Sequence, residues 1–479
     1  MERPANTLEA VLGKWSEGRG PLHRKLTDAL RHAIDMGYLS NDQRLPSERE
    51  LAARLAVSRS TVVAAYDALR TEGVLESRQG SGTRVCSTAL AGREADHRVN
   101  PVYRSLLDAR DDVISLACAV FPAHQAVREA LVDVVSEDRD KLLMQLGYTP
   151  AGLPELRERL AEMHTAQGLP TTTDQIVVTT GAQQAVNLAG ALFVRPGDTV
   201  IVESPSFAGT LDAFRTRGAR LIGVAVDEED GVDVDEVACH VQARQPAAVY
   251  VMPSFHNPTG AFMTEWRRRR LAELAVSERV PIIEDNALEH IPLDCSDLLP
   301  PIAAFAPPDA PVLTAGSLSK VAWGGLRIGW LRGPVHLMER IAELKAMSDL
   351  GSPLFEQAVV ARIVPQIDSL RRDHADRLRA NLDVVTGLLS SELPSWEWRR
   401  PRGGPSLWIR LPQGTAAAYG QVALRYGVEI VPGETMSPSA EHRQCIRFPF
   451  TAEPPVLEET VRRLAAAWRA YEPTHRVVV

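Results

Sequence analysis

Ser317-Leu318-Ser319-Lys320, with Arg327 seven residues beyond the lysine in Gly324-Gly325-Leu326-Arg327-Ile328-Gly329, is the stretch whose residue types most directly imply covalent chemistry. A lysine amine condenses with an aldehyde, and hydroxyls beside an arginine hold a phosphate. The set therefore suits a phosphate-bearing aldehyde, with Lys320 forming the Schiff base and Ser317, Ser319 and Arg327 on the phosphate. On its own, S-x-S-K describes a surface lysine in a polar loop equally well. Other residues point the same way. Thr180-Gly181-Ala182-Gln183 opens a helix after a strand, where free amides and the helix dipole favour an anion. Asn257-Pro258-Thr259-Gly260 offers an amide donor for a phenolate oxygen, and Phe207 offers a face for an aromatic ring to stack on. Asp285 closes a strand, where a carboxylate keeps a ring nitrogen protonated and lets the ring act as an electron sink. Each has a structural explanation, NPTG as a turn and the strand-end Asp as a cap. Their agreement in order and position is hard to obtain by chance.

A second group of residues has the chemistry of nucleic-acid contact. In Leu45–Val85, Ser47 and Glu50 form a capping box, and Leu51, Ala52 and Leu55 give the helix that follows a buried side. Ala56-Val57 makes a short turn, and Ser58 caps a second helix running to about Glu72 with Val62, Ala65, Tyr66 and Leu69 inward. Val74–Ser77, the Gly80-Ser81-Gly82 tip and Thr83–Val85 read as a hairpin. Together these make a winged helix-turn-helix. Arg59, Ser60 and Thr61 occupy the first turn of the second helix, the end that enters a major groove, where arginine reads guanine bidentately. Arg49, Arg78 and the Gly80 amide would hold phosphates. Any one of these arginines alone reads as solvated helix surface.

The elements that must position the first group follow the tether. Residues 86–111 lose periodicity and gain Gly, Arg, Asp, His and Asn, which reads as an interdomain linker. Beyond it, strands at Gln175–Thr179, Thr199–Glu203, Arg220–Val226, Ala248–Met252, Pro281–Glu284 and Val312–Ala315 alternate with helices at Gln183–Phe193, Phe207–Arg217, Glu265–Glu278 and after Gly333. Such alternation implies an α/β fold with a largely parallel sheet covered on both faces, whose ligands bind at the strands' carboxyl ends. The chain of 479 residues then divides into a head at 1–85, the linker, and a body at 112–479 with a smaller C-terminal part from about 345.

Composition narrows the classes. The net charge of −8 argues against a protein coated in nucleic acid, yet residues 1–85 carry 13 basic and 11 acidic side chains while the rest carry 40 and 50. A basic head on an acidic body suits a small DNA reader fused to something larger. The five cysteines are scattered without a C-x-x-C pair, so neither a disulfide framework nor a metal site is expected. The longest apolar run, Ala185–Val194, is about half the ~20 residues of a membrane span. With no apolar segment near Met1 to serve as a secretory signal, a cytoplasmic location is expected.

Residues 20–85 closely resemble the GntR family of winged-helix repressors, whose L-P-S-E-R-x-L-A motif stands here as Leu45–Ala52. From about Val113 onward the chain resembles fold-type-I aminotransferases, and the two together are the arrangement of MocR regulators. The resemblance implies pyridoxal 5'-phosphate as cofactor and Lys320 as the internal-aldimine lysine. It places Asp285 on the pyridine nitrogen, Asn257 on the ring hydroxyl and Phe207 on the ring face. Ala182, Gln183, Ser317, Ser319 and Arg327 fall on the phosphate positions. Tyr148, in Gly147–Leu153, matches the tyrosine that reaches the neighbouring subunit's phosphate, so a homodimer is implied. Arg447 matches the arginine that grips a substrate's α-carboxylate. One departure concerns catalysis: where the family supplies a tyrosine two or three residues after the aspartate, this chain reads Asn286-Ala287-Leu288. The expectation is a regulator that binds operator DNA and senses the cofactor or an amino compound through an aldimine at Lys320, with at most slow transamination. The alternatives are an aminotransferase with a vestigial head and a DNA-binding protein whose body only dimerises. The intact head argues against the first, and intact Lys320, Asp285 and Arg327 argue against the second.

Overall fold

A computed structural model describes residues 8–12, 15–16, 20–35, 38–39, 43–71, 74–78, 82–85, 112–293 and 298–475. The head is built from helices α1 (Leu8–Leu12), α2 (Leu22–Asp35), α3 (Glu48–Arg54) and α4 (Arg59–Thr71), followed by strands β1 (Leu75–Arg78) and β2 (Gly82–Val85). The helix starts are set by capping hydroxyls: Ser47 Oγ accepts from the Glu50 amide at 3.2 Å, and Ser58 Oγ accepts from the Thr61 amide at 3.2 Å. β1 and β2 pair antiparallel, Leu75 with Val85, and the 43–45 segment joins their edge through the Leu45 amide and the Thr83 carbonyl. Apolar positions at helical spacing turn Leu26, Leu30, Leu51, Leu55, Val62, Tyr66 and Leu69 into one core. Helix α1, absent from the sequence reading, adds Leu8, Val11 and Leu12 to it.

In the body, β3 (Ile114–Ser115), α5 (Gln125–Asp133), α6 (Arg139–Leu143) and α7 (Pro154–Ala166) precede the main sheet. That sheet holds β4 (Ile176–Thr179), β5 (Thr199–Ser204), β6 (Arg220–Asp227), β7 (Gly231–Val232), β8 (Ala248–Val251), β9 (Ile282–Asp285), β10 (Val312–Ser317) and β11 (Gly329–Arg332). Their spatial order is β4-β11-β10-β9-β8-β5-β6-β7. Pairing is parallel from β10 through β6, and only β11 and the edge strand β7 run against the rest. The six strands expected from sequence are all present. β11 is an addition, and no apolar run announced it.

Strand alternation explains the two covered faces. Val200, Val202, Tyr250, Ile283 and Leu313 face one layer, with α8 (Ala182–Phe193), α9 (Ala208–Arg215) and α12 (Val335–Asp349). Ile201, Val249, Val251, Ile282 and Val312 face the other, with α10 (Val234–Arg244) and α11 (Glu265–Ser277). A strand buried on both faces reads as a continuous apolar run, as these do.

The remaining chain forms α13 (Leu354–Ile363), the long α14 (Ile367–Glu392), β12 (Glu397–Trp398), β13 (Ser406–Arg410), α15 (Ala416–Arg425), β14 (Val428–Glu429), β15 (Val431–Pro432), β16 (Cys445–Pro449) and α16 (Pro454–His475). Here a four-stranded antiparallel sheet, β12-β13-β16-β15, packs with α14, α15 and α16 around Trp396, Tyr419, Trp468 and Tyr471. β3, from the start of the body, pairs in parallel with β14 and so belongs to this layer.

Candidate functional site

The carboxyl ends of β4, β5, β9 and β10 carry the candidate residues, as expected for an open α/β sheet. Lys320 lies three residues past the end of β10, part-buried, and its Nζ donates to the Ala119 carbonyl at 2.8 Å. Burial pushes its ammonium down to about 8, and the charge of Arg447 acts in the same direction. An amine held this way is half neutral at a pH of about 8, which brings the nucleophilic form of a lysine within reach.

Asp285 ends β9, buried, and its pKa is raised by that burial. Two donors work against the rise: Tyr250 Oη donates to Oδ2 at 2.7 Å and the Ala287 amide donates to Oδ1 at 3.0 Å. Tyr250 was missed by sequence reasoning, because inside the apolar run Ala248–Val251 a tyrosine reads as core. Leu288, at one of the two positions where the resemblance implies a tyrosine, is buried in an apolar cluster with Phe255 and Phe262. The substitution is thus packed into the fold. Beside it, both polar atoms of the buried Asn286 side chain lack a hydrogen-bond partner.

The anion end is assembled from three elements. Ala182 and Gln183 form the first turn of α8, whose preceding Gly181 sits at φ 92°. A Cβ on Gly181 would stand 2.8 Å from the Arg327 guanidinium, so glycine is required there twice over. Arg327 itself adopts φ 53°, is exposed, and donates to the Thr180 carbonyl at 2.9 Å and the Gly324 carbonyl at 3.3 Å. Ser317 Oγ donates to Ser319 Oγ at 2.9 Å and accepts from the Ser319 amide at 3.1 Å. Gln183 turns its amide aside, Nε2 donating to the Gly209 carbonyl at 2.9 Å. The Arg327 guanidinium thereby stands at the start of α8, and the two hydroxyls lie together at the end of β10.

Phe207, half-buried, stands at the N-cap of α9, and Asn257 is half-buried beyond β8. Arg447 lies in the middle of β16 and is 4% exposed; burial lowers its guanidinium to about 10. Its Nη2 donates to the Ala117 carbonyl and, at 3.4 Å, to that of Leu116, while Nε has no partner. Tyr148 is 71% exposed and far less engaged, on the loop after α6. Leu143, Met144 and Leu146, a few residues before it in the chain, are exposed as well.

On the head, Arg49, Arg59 and Ser60 are exposed and Thr61 is half-buried. The hydroxyls of Ser60 and Thr61 each lie 2.8 Å from Ser58 Oγ. The start of α3 is held against the second half of α4 by Tyr66 Oη, which donates to the Pro46 carbonyl at 3.0 Å, and by the Arg70–Glu48 ion pair at 2.9 Å. Arg78 is the last residue of β1, opposite Gly82 in the hairpin; Gly80 lies outside the described residues. Arg44, not singled out from sequence, reaches across Gly82, with Nε 3.0 Å from where a Cβ would be. Among the described residues there is no helix long and apolar enough to cross a membrane and no cluster able to hold a metal ion. Cys118, Cys239 and Cys445 are free thiols.

Comparison with known proteins agrees with this two-part design. Residues 117–465 match the family described as aminotransferase class I and II, and residues 22–85 match the bacterial regulatory proteins of the gntR family. The uncharacterized HTH-type transcriptional regulator YisV of Bacillus subtilis is 29% identical over 83% of this chain and 86% of its own. The probable rhizopine catabolism regulatory protein MocR of Rhizobium meliloti is 27% identical over 78% of each. Among solved structures, LysN, an alpha-aminoadipate aminotransferase from Thermus thermophilus complexed with N-(5'-phosphopyridoxyl)-L-leucine, superposes with TM-score 0.69 at 27% identity. The match covers 79% of this chain and 96% of that one.

Proposed function

We propose, from the premise that the chain belongs to the aminotransferase class I and II family and carries a gntR-family head in the MocR arrangement, that it is a transcriptional regulator whose body binds ligand and whose head binds DNA. Its cofactor is pyridoxal 5'-phosphate, which when bound supplies an aldehyde for amines and a ring that accepts electrons. The residues present fit that group: a part-buried lysine, a buried strand-end carboxylate braced by Tyr250, and an anion cradle at Gly181–Gln183 with Arg327.

In this reading Lys320 attaches the cofactor, Asp285 holds its ring nitrogen, Asn257 its ring hydroxyl and Phe207 its face. Ala182, Gln183, Ser317, Ser319 and Arg327 take the phosphate, and Arg447 takes the carboxylate of an amino-acid effector. Tyr148 reaches across a homodimer, supported by the exposed apolar residues just before it in the chain. Arg49, Arg59, Ser60, Thr61, Arg78 and Gly80 contact double-stranded operator DNA. The working division is a reader at 1–85, a tether at 86–111 and a sensor at 112–479, its smaller part from about 345. The observation that carries sensing over turnover is Leu288: a buried leucine cannot give the ring oxygen the hydrogen bond that a tyrosine would.

A titration of operator DNA with wild type and Lys320→Ala, each with and without cofactor and candidate amino acids, tests this. Wild type should change its operator affinity with ligand, and Lys320→Ala should not. Rapid transamination by the wild type, or an unaltered ligand response in Lys320→Ala, would overturn the sensing role.

A further inference from the structure

The two cations assigned to ligand are already engaged, and the segment that engages them leads to the head. Lys320 Nζ donates to Ala119, and Arg447 Nη2 donates to Ala117 and Leu116, in every case to a main-chain carbonyl. All three acceptors lie within four consecutive residues, a strap at the very start of the body. A ligand that uses either cation must take it away from the strap. The neutral amine of Lys320 gives up both its hydrogens when it condenses with an aldehyde, the aldehyde oxygen leaving as water, so it can no longer donate to Ala119. The guanidinium of Arg447, with Nε unpartnered, gains more from a two-oxygen carboxylate than from two carbonyls of the strap.

The strap's other end is fastened to the small domain. The Ile114 amide donates to the Gly427 carbonyl at 3.0 Å, the Leu116 amide to the Glu429 carbonyl at 2.8 Å, and Ser115 Oγ to Glu429 Oε2 at 2.6 Å. Residues 427–429 follow α15 after a single residue, and the helix's last residue, Arg425, donates from Nη2 to the Ala56 carbonyl at 3.4 Å. Ala56, at φ 51°, is the turn residue between α3 and α4, three positions before Arg59, and it packs on the body's core. α15 also lies against α1 and α3. A helix seated there stands within one turn of the tip that enters a major groove.

We propose that the strap Ile114–Ala119 is the lever between the ligand pocket and the head: with its clasps at Lys320 and Arg447 closed it holds β14 and α15 against the helix-turn-helix, and ligand opens the clasps and frees the head for DNA. This rests on the sensing role proposed above. The two clasps make an amine that bears a carboxylate the full effector, the cofactor alone opening only the first. The device satisfies the requirement that ligand discriminate between two arrangements, because the strap-bound state and the ligand-bound state compete for the same donors.

The test uses the full chain, pyridoxal phosphate as probe, and Arg447→Met as a permanent opening of the second clasp. Amide hydrogen exchange over residues 112–119 should rise when wild type is loaded with cofactor and rise further in loaded Arg447→Met. Operator affinity should follow, by about fivefold or more. Arg425→Ala, an exposed residue outside the pocket, should keep cofactor attachment and the loosening of the strap. Its operator affinity without cofactor should match that of the loaded protein. Two results overturn the lever: unchanged exchange at 112–119 in Arg447→Met with cofactor attached at Lys320, or an undiminished cofactor response in Arg425→Ala. Failure of the sensing role itself looks different, since wild type would then carry no cofactor on Lys320 or show no cofactor effect on operator affinity.

Discussion

Lys320 and Arg447 share one field, and that fixes the sign of a pH dependence. Burial and the neighbouring guanidinium both disfavour the ammonium of Lys320, bringing it down to about 8. Cofactor attachment, followed by its absorbance change, should therefore accelerate as pH rises and level off above about 8. Arg447→Met removes a positive charge, so the ammonium becomes easier to keep and the midpoint should move upward. A midpoint that stays put would separate the two residues. Asp285 gives a second prediction at this scale. Its hydrogen bond from Tyr250 favours the ionised carboxylate against burial. Such bonds to charged groups contribute about 1.5–3 kcal/mol, so Tyr250→Phe should weaken cofactor affinity about tenfold or more in equilibrium dialysis. Lys320, Asp285 and Arg327 were legible in the sequence because several such residues follow strands in a consistent order, although each alone has an ordinary structural explanation. Tyr250 was not, because a hydroxyl's partner is set by a neighbouring strand 35 positions away.

At the scale of elements, the head was the most legible part, since caps and 3.6-residue spacing act within a few residues of one another. Ser47 and Ser58 cap the helices expected of them. Replacing Ser47 by Ala should cost about 1 kcal/mol, seen as a lower melting temperature for the head's transition in calorimetry of the full chain. Arg59, exposed at the start of α4, belongs to the same argument. Arg59→Ala should lose ~1–3 kcal/mol of discrimination between operator and random DNA in competition titrations. Retained discrimination would mean that α4 presents a different face to DNA. Elements fixed by distant pairing were not legible. β11 is wedged antiparallel between β4 and β10, a direction that alternation of apolar residues cannot report. The two-residue β3 exists only because β14, more than 300 residues later, pairs with it.

Over the whole molecule, the residues left without a covering layer point to the assembly that DNA binding needs. Leu143, Met144 and Leu146 are exposed, Leu146 to 94%, and lie within five residues of the exposed Tyr148 in the chain. Exposed apolar side chains concentrated in one short segment favour a protein interface there. A helix-turn-helix reader gains affinity when two heads meet two half-sites about one helical turn apart, which a dimeric body would enforce. In the proposed homodimer the cofactor site and the operator contact draw on one interface, and two variants should separate its roles. Leu143→Asp with Leu146→Asp should yield monomers in sedimentation equilibrium and lose both tight operator binding and part of the cofactor affinity. Tyr148→Phe should keep the dimer and its operator binding without ligand, yet weaken cofactor binding, because it removes only one hydroxyl from the proposed phosphate site. If the double aspartate variant stays dimeric, another surface joins the subunits. If Tyr148→Phe binds cofactor as well as wild type, Tyr148 serves the interface by its apolar ring alone.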